Sequence, residues 1–236
     1  MANRLMVVPS VGEVVMSKRR GARNIRITIT AAGQVRVALP HWTPYAAGVH
    51  FVKKHEAWIR DQLRVHAPNP LTDGVRIGRS HRIRIEPSGN NSAKQSVRVS
   101  RSAIVAKVPE GIDESMLQKK LLAAAERALK QEADELLSGR LVAISRRYGL
   151  PYSGLKIRKL TSRWGSCSSK KQISLSYFLV QLPNELIDYV ILHELAHTIH
   201  HNHSSQFWGY MDERLADLDQ LRREIKLYRP RVEPYL

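Results

Sequence analysis

Five of the ten histidines in this 236-residue chain fall within eleven positions, His193-Glu194-Leu195-Ala196-His197-Thr198-Ile199-His200-His201-Asn202-His203. No other feature restricts the fold as strongly. The first five residues read H-E-x-x-H, and histidines four apart share a face when the chain is helical there. Val190, Ile191, Leu192, Leu195 and Ala196 around them require that helix to be buried. The spacing predicts a core helix that brings the imidazoles of His193 and His197 to one metal ion. Glu194 lies one step round, on the His197 side, where it can take a proton from metal-bound water without being a ligand.

Zinc fits this chemistry, since it lowers the pKa of bound water from about 15.7 to about 7 and polarises a scissile carbonyl. A catalytic zinc site asks for a third protein ligand and one open position. His200 shares the helix face but lies roughly 10.5 Å of rise from His193, with His197 between them. His201 points about 100° away from His200 on the same helix. His203 follows Asn202, a residue that tolerates the left-handed conformation in which helices end, so a chain reversal there returns it to the metal. Its H-x3-H-x5-H spacing equals that of the metzincin pattern, with His200 in place of that pattern's glycine. The expected site is therefore His193, His197 and His203 around one Zn2+ per chain, with Glu194 as catalytic base. A cationic helix C-terminus without a metal is the competing reading.

Along the rest of the chain the period of hydrophobicity changes near Pro109. Alternation at Ile25–Ile29, Val35–Val37, His81–Ile85, Val97–Val99 and Ile104–Val108 predicts antiparallel strands, with turns at Ala31–Gln34 and at Gly89-Asn90-Asn91. A helical pattern from Tyr45 to about His66 is stopped by Pro68 and Pro70. From Asp113 onward Leu117, Leu121, Leu122, Leu129, Leu136, Leu137 and Ile144 mark a long helix, bent at Ser138-Gly139 and ended by Gly149 and Pro151. Strands at Leu155–Leu160 and Gln172–Leu179, a helix from Pro183 and a last helix from Ser205 to Tyr228 complete the pattern. The expectation is an α+β protein with a basic, β-rich domain carrying one helix over residues 1–110, followed by a domain over 111–236 with a small antiparallel sheet and the H-E-x-x-H helix.

Composition narrows the remaining classes. The single cysteine excludes an internal disulfide framework and a Cys-built zinc finger. Leu5-Met6-Val7-Val8 meets Pro9 and Gly12 too soon for a signal-peptide core, and no apolar run reaches the roughly 18 residues of a membrane helix, so no membrane association and a cytoplasmic location are expected. Neither a G-x-S-x-G elbow nor a P-loop or dinucleotide fingerprint occurs. Net charge is +17, of which residues 1–110 carry +13. In the strands Arg26, Arg36, Arg82, Arg84 and Arg98 alternate with Ile and Val, which is either a solvated basic face or a surface for nucleic acid. No aromatic interleaving of the kind used by single-strand binders is evident there, so attraction to the phosphate backbone is the expected mode.

The segments Ser162-Arg163-Trp164-Gly165-Ser166-Cys167-Ser168, Ile173-Ser174-Leu175, Leu182-Pro183, Ile187 to His197, Asn202-His203-Ser204 and Phe207-Trp208 resemble the YgjP-like metallopeptidases. The likeness extends to the Arg-rich N-terminal strands and the helix with Trp58-Ile59. Ser176 departs from the Asn more often found there, outside the metal motif. The family is similar to the SprT-like and WLM zinc proteases, so the resemblance implies a zincin-like C-terminal domain. It also implies a zinc-bound water activated by Glu194, with a protein or peptide as substrate. Trp164, Gly165, Ser166 and Cys167 join two strands just before the metal helix. They are read either as a tight turn at Gly165 with Trp164 in the core, or as a wall that binds substrate. The alternative function is a basic, nucleic-acid-associated module with a structural or vestigial metal, or a protease recruited to nucleic acid.

Overall fold

The computed structural model describes residues 3–30, 33–66, 69–88 and 95–235, with residues 64–66 and 235 described by their backbone alone. Ala31 and Ala32 of the first expected turn, the Gly89-Asn90-Asn91 turn and Pro68 lie outside these residues. The chain divides into two compact units, Met1–Pro68 and Asn69–Leu236. The boundary expected near residue 110 falls inside the second unit. There Ile77, Ile83, Ile104 and Ala106 share one core with Leu121, Ala125 and Leu129 of the long helix. Alternation marks a strand but not the layer it packs on, which is why those strands read as part of the N-terminal group.

In the first unit, β1 (Asn3–Val8), β2 (Gly12–Arg19), β3 (Arg26–Ile29) and β4 (Val35–Pro40) form a sheet in the order β1-β2-β4-β3. Strands β2 and β4 run parallel, which corrects the all-antiparallel expectation. The helical stretch from Tyr45 is two helices, α1 (Tyr45–Lys54) and α2 (Glu56–His66), broken at His55. Val14, Met16, Val35, Val37, Leu39, Val52 and Ile59 close the core between them. Gly48 lets α1 lie directly on the sheet, since a Cβ there would stand 3.1 Å from Leu39 and Met16.

The second unit is built around α3 (Glu114–Tyr148), which is unbroken at Ser138-Gly139. Asp113 caps its start by accepting from the Ser115 N–H, and Gly149 ends it in the left-handed conformation, φ 63°. Its buried face, Leu117, Leu121, Ala124, Ala128, Leu137 and Leu141 among others, supports a five-stranded sheet. That sheet joins β5 (Arg76–Ile77), β6 (His81–Pro87), β7 (Ser96–Val99), β8 (Ala103–Val108) and β12 (Pro234–Tyr235) in the order β12-β5-β6-β8-β7. The pair β6 and β8 is parallel.

A three-stranded sheet of β9 (Gly154–Arg158), β10 (Gly165–Cys167) and β11 (Gln172–Ser176) follows, in the order β10-β11-β9. It is mixed, not antiparallel, because β11 runs parallel to β9 and antiparallel to β10. Next comes α4 (Asn184–Ala196), most of whose residues from Leu186 onward are buried, as a helix so rich in apolar side chains must be. The single helix expected over Ser205–Tyr228 is α5 (Ser205–Asp212) and α6 (Leu218–Glu224), separated by a left-handed Asp217, φ 58°.

A buried clasp fixes the approach to α4. The Glu132 carboxylate of α3 accepts from the backbone N–H groups of Arg79 (2.7 Å) and Ser80 (3.0 Å) and from His81 Nδ1 (2.6 Å). Arg79 in turn donates through Nε and Nη2 to the carbonyls of Val180 and Leu182, just ahead of the helix. Gly78 is obligatory in this turn: its φ is 61°, and a Cβ would stand 2.4 Å from Glu132 Oε2.

Candidate active site

Helix α4 ends at Ala196 with His193 and Glu194 in its last turn and His197 as the capping residue. The chain then turns through Thr198 and Ile199, with the His200 N–H bonded to the Ala196 carbonyl at 2.9 Å. Asn202 is not left-handed, contrary to expectation. The return of His203 is set instead by Ser204, whose hydroxyl caps α5 at the Phe207 N–H. His203 thus stands one residue ahead of a capped helix.

One ring nitrogen from each of His193, His197 and His203 comes within 4.8 Å of the others, and His203 Nε2 lies 3.0 Å from His193 Nε2. His197 Nδ1 donates to the His200 carbonyl at 2.9 Å, which leaves Nε2 with its lone pair. Burial pushes the His193 imidazole down to about 3, helped by the neighbouring His197 and His203, and burial likewise lowers His197. Both rings are therefore neutral near pH 7 with lone pairs available. Phe207, wholly buried, touches all three rings, and Trp208 stacks on His203 at an interplanar angle of 23°. Three converging imidazoles held by aromatic packing suit a divalent first-row metal ion. His200 turns its ring to Tyr210, and His201 lines the cavity without joining the cluster.

Glu194 is 7% exposed, and burial raises its carboxyl to about 7 against the opposing pull of Arg163 and of the Cys167 backbone N–H it accepts from. The segment Trp164–Cys167 lies beside it. Gly165 is a buried strand residue, not a turn; the turn falls at Ser168–Lys171, where Lys171 has φ 58°. A Cβ on Gly165 would stand 2.6 Å from Glu194 Cγ. Ser176 N–H bonds to the Trp164 carbonyl and Ser168 N–H to the Gln172 carbonyl, so the backbone groups of Gly165 and Cys167 face away from β11. Strand β10 is thus a sheet edge, partly occupied by Glu194.

A cavity of about 700 Å³ brings these groups together, walled by Trp164, Gly165, Ser166, Cys167, His193, Glu194, His197 and His203. Two further residues line it, Arg163 and Tyr189. Arg163 supplies a cation with no ion pair among the described residues. Tyr177, Tyr189 and Tyr210 could each stabilise an oxyanion and the sequence does not select among them; Tyr189 is the one on the wall, whereas Tyr177 is bonded to Glu126 and Tyr210 lies under Arg214. Tyr189 precedes His193 by one helical turn, and this spacing is its only sequence signal. Phe207 and Trp208 pack behind the imidazoles rather than line the cavity.

A cluster of three imidazoles, an adjacent buried carboxylate and a cavity with an open strand edge define the metallopeptidase class. The chain belongs to the YgjP-like metallopeptidase-domain family, whose pattern matches residues 23–228. It is a metal-dependent peptidase. Among solved structures it is similar to the metallopeptidase zymogen of Methanocaldococcus jannaschii jannalysin, with 24% identity and a TM-score of 0.36 over 39% of this chain and 97% of that one. A second is the metallopeptidase zymogen of Pyrococcus abyssi abylysin, with 23% identity and a TM-score of 0.35 over 39% and 94% of the two chains. No curated protein matches the chain. Among the described residues no helix is long and apolar enough to cross a membrane.

Proposed function

We propose that the chain is a zinc peptidase in which His193, His197 and His203 hold the metal and Glu194 is the general base. The observation that carries this reading is the meeting of three imidazole nitrogens within 4.8 Å beside a buried carboxylate. When bound, zinc supplies an electrophile for the scissile carbonyl and lowers the pKa of water. Glu194 takes the proton from the attacking water and delivers it to the leaving amine, a shuttle suited to a buried carboxyl held beside the metal-binding imidazoles. Gly165 keeps the carboxylate in place by having no side chain, and the Cys167 N–H fixes its orientation.

An extended protein or peptide substrate would lie along the free part of the β10 edge, bonded through the outward backbone groups of Gly165 and the Cys167 carbonyl. Tyr189 and Arg163, both on the cavity wall, would stabilise the charge that develops on the carbonyl oxygen. Metal analysis of the purified chain, paired with peptide cleavage by wild type and Glu194→Gln, tests the assignment. One zinc per chain in both, with cleavage lost only in the variant, is the expected result. A chain that takes up no zinc on reconstitution refutes it.

A further inference from the structure

The first unit carries a second concave surface. Residues 14–55 contain no Asp or Glu, and residues 1–68 hold eleven Lys and Arg against three acids. These cations are not spread evenly over a convex face. Lys18 and Arg19 at the end of β2, Arg20 just beyond it and Arg26 at the start of β3 gather round a hollow of about 1490 Å³, together with His41 and Tyr45. Arg19, Arg20 and Arg26 form no ion pair or side-chain hydrogen bond among the described residues. Helix α1 begins at the same hollow, at Tyr45, with no acid in its first turn, so its N-terminal amides add to the positive field. Holding like charges together around a hollow is unfavourable until an anion enters it.

Aromatic rings accompany the charge. Trp42 is 62% exposed, although it is the largest side chain type, and its ring meets that of His41, which lines the hollow, edge-on at 4.8 Å. Tyr45 is covered by the cations of Lys18 and Arg4. The arginine-bearing strands carry no aromatics of their own, and the loop after β4 supplies them from outside the sheet.

We propose that this hollow binds single-stranded nucleic acid, its cations following the phosphate backbone and Trp42 stacking on an unpaired base. A planar anionic membrane cannot enter a hollow, and the carboxylate side chains of an acidic peptide offer no flat ring for an exposed indole. A duplex keeps its bases stacked on one another. A single strand supplies both the phosphates and the free base faces.

The test uses the full chain and a fluorescein-labelled oligothymidylate of about 20 nucleotides at about 50 mM salt. Anisotropy is expected to show binding that weakens with salt at a log–log slope of about −3, from about −0.7 per phosphate at four cations. Trp42→Ala, an exposed position that leaves the core intact, is expected to weaken binding about tenfold with the slope unchanged. The triple change Arg19→Gln, Arg20→Gln, Arg26→Gln should flatten the slope by about two. Glu194→Gln should bind as wild type does. The proposal is overturned if the oligonucleotide does not bind, or if Trp42→Ala binds as tightly as wild type. It is equally overturned if duplex of the same length, polyglutamate or phosphatidylserine vesicles compete as well as unlabelled single strand.

Discussion

Replacing Glu194 by Gln should stabilise the metal-free protein, and by an amount that grows with pH. The carboxyl is 7% exposed and burial raises it from 4.5 to about 7. Because the folded value lies above the unfolded one, the folded state binds more protons between those limits. Stability therefore falls as pH rises through that window. A shift of about 2.5 units at about 1.36 kcal/mol each costs about 3 kcal/mol at about pH 8, and about 1 kcal/mol at about pH 5. Gln cannot ionise and its carbonyl still accepts from the Cys167 N–H, so the variant removes that cost without opening a cavity. His193, held down to about 3, weakens both proteins as pH falls below its unfolded value of 6.5 and cancels in the difference. At about 2–4 °C per kcal/mol for a unit of this size, the variant should melt roughly 6–12 °C above wild type at about pH 8. Thermal unfolding of chelator-stripped proteins, followed by circular dichroism, reads this directly. Restoring the metal should shrink the gap, since its charge favours the carboxylate. A gap that stays constant between the two pH values, or a variant that melts below wild type at the higher one, would refute the assignment of Glu194 as a strained buried carboxylate.

Three further outcomes follow from the same geometry. Gly165→Ala places a methyl 2.6 Å from Glu194 Cγ and displaces the carboxylate, so cleavage of a peptide should fall about 100-fold while metal content is unchanged; equal kcat values would show that Gly165 does not position the base. His203→Ala removes one of three imidazoles, and competition with a chelator should show at least a tenfold loss of metal affinity with the fold intact by circular dichroism. Glu132→Ala leaves the Arg79 and Ser80 N–H groups and the buried His81 ring without their acceptor, and denaturant titration should show a loss of about 1–3 kcal/mol.

How far the site is legible in the sequence depends on the range of the interaction. His193, Glu194 and His197 lie within one helical turn and a half, and there spacing is geometry. His203 is reachable by spacing too, but by a different mechanism from the one expected: Ser204 capping α5 brings it back, without a left-handed Asn202. Strand positions are legible from alternation, whereas pairing is not. A half-buried parallel strand and an antiparallel one alternate alike, so β2 beside β4, β6 beside β8 and β11 beside β9 cannot be told from hairpins. Two glycines show the same limit most sharply. Gly149 ends α3 for a reason contained in its own backbone, and the sequence pattern suffices to place it. Gly165 reads as a turn because turns are the commonest local use of glycine. Its actual constraint comes from Glu194, twenty-nine residues away in the chain, whose carboxylate occupies the space a side chain would need. That contact makes β10 part of the machinery that holds the base. The same edge strand that would bind the substrate thereby also sets the position of the group that activates the attacking water, which is why the effect of Gly165→Ala should fall on kcat.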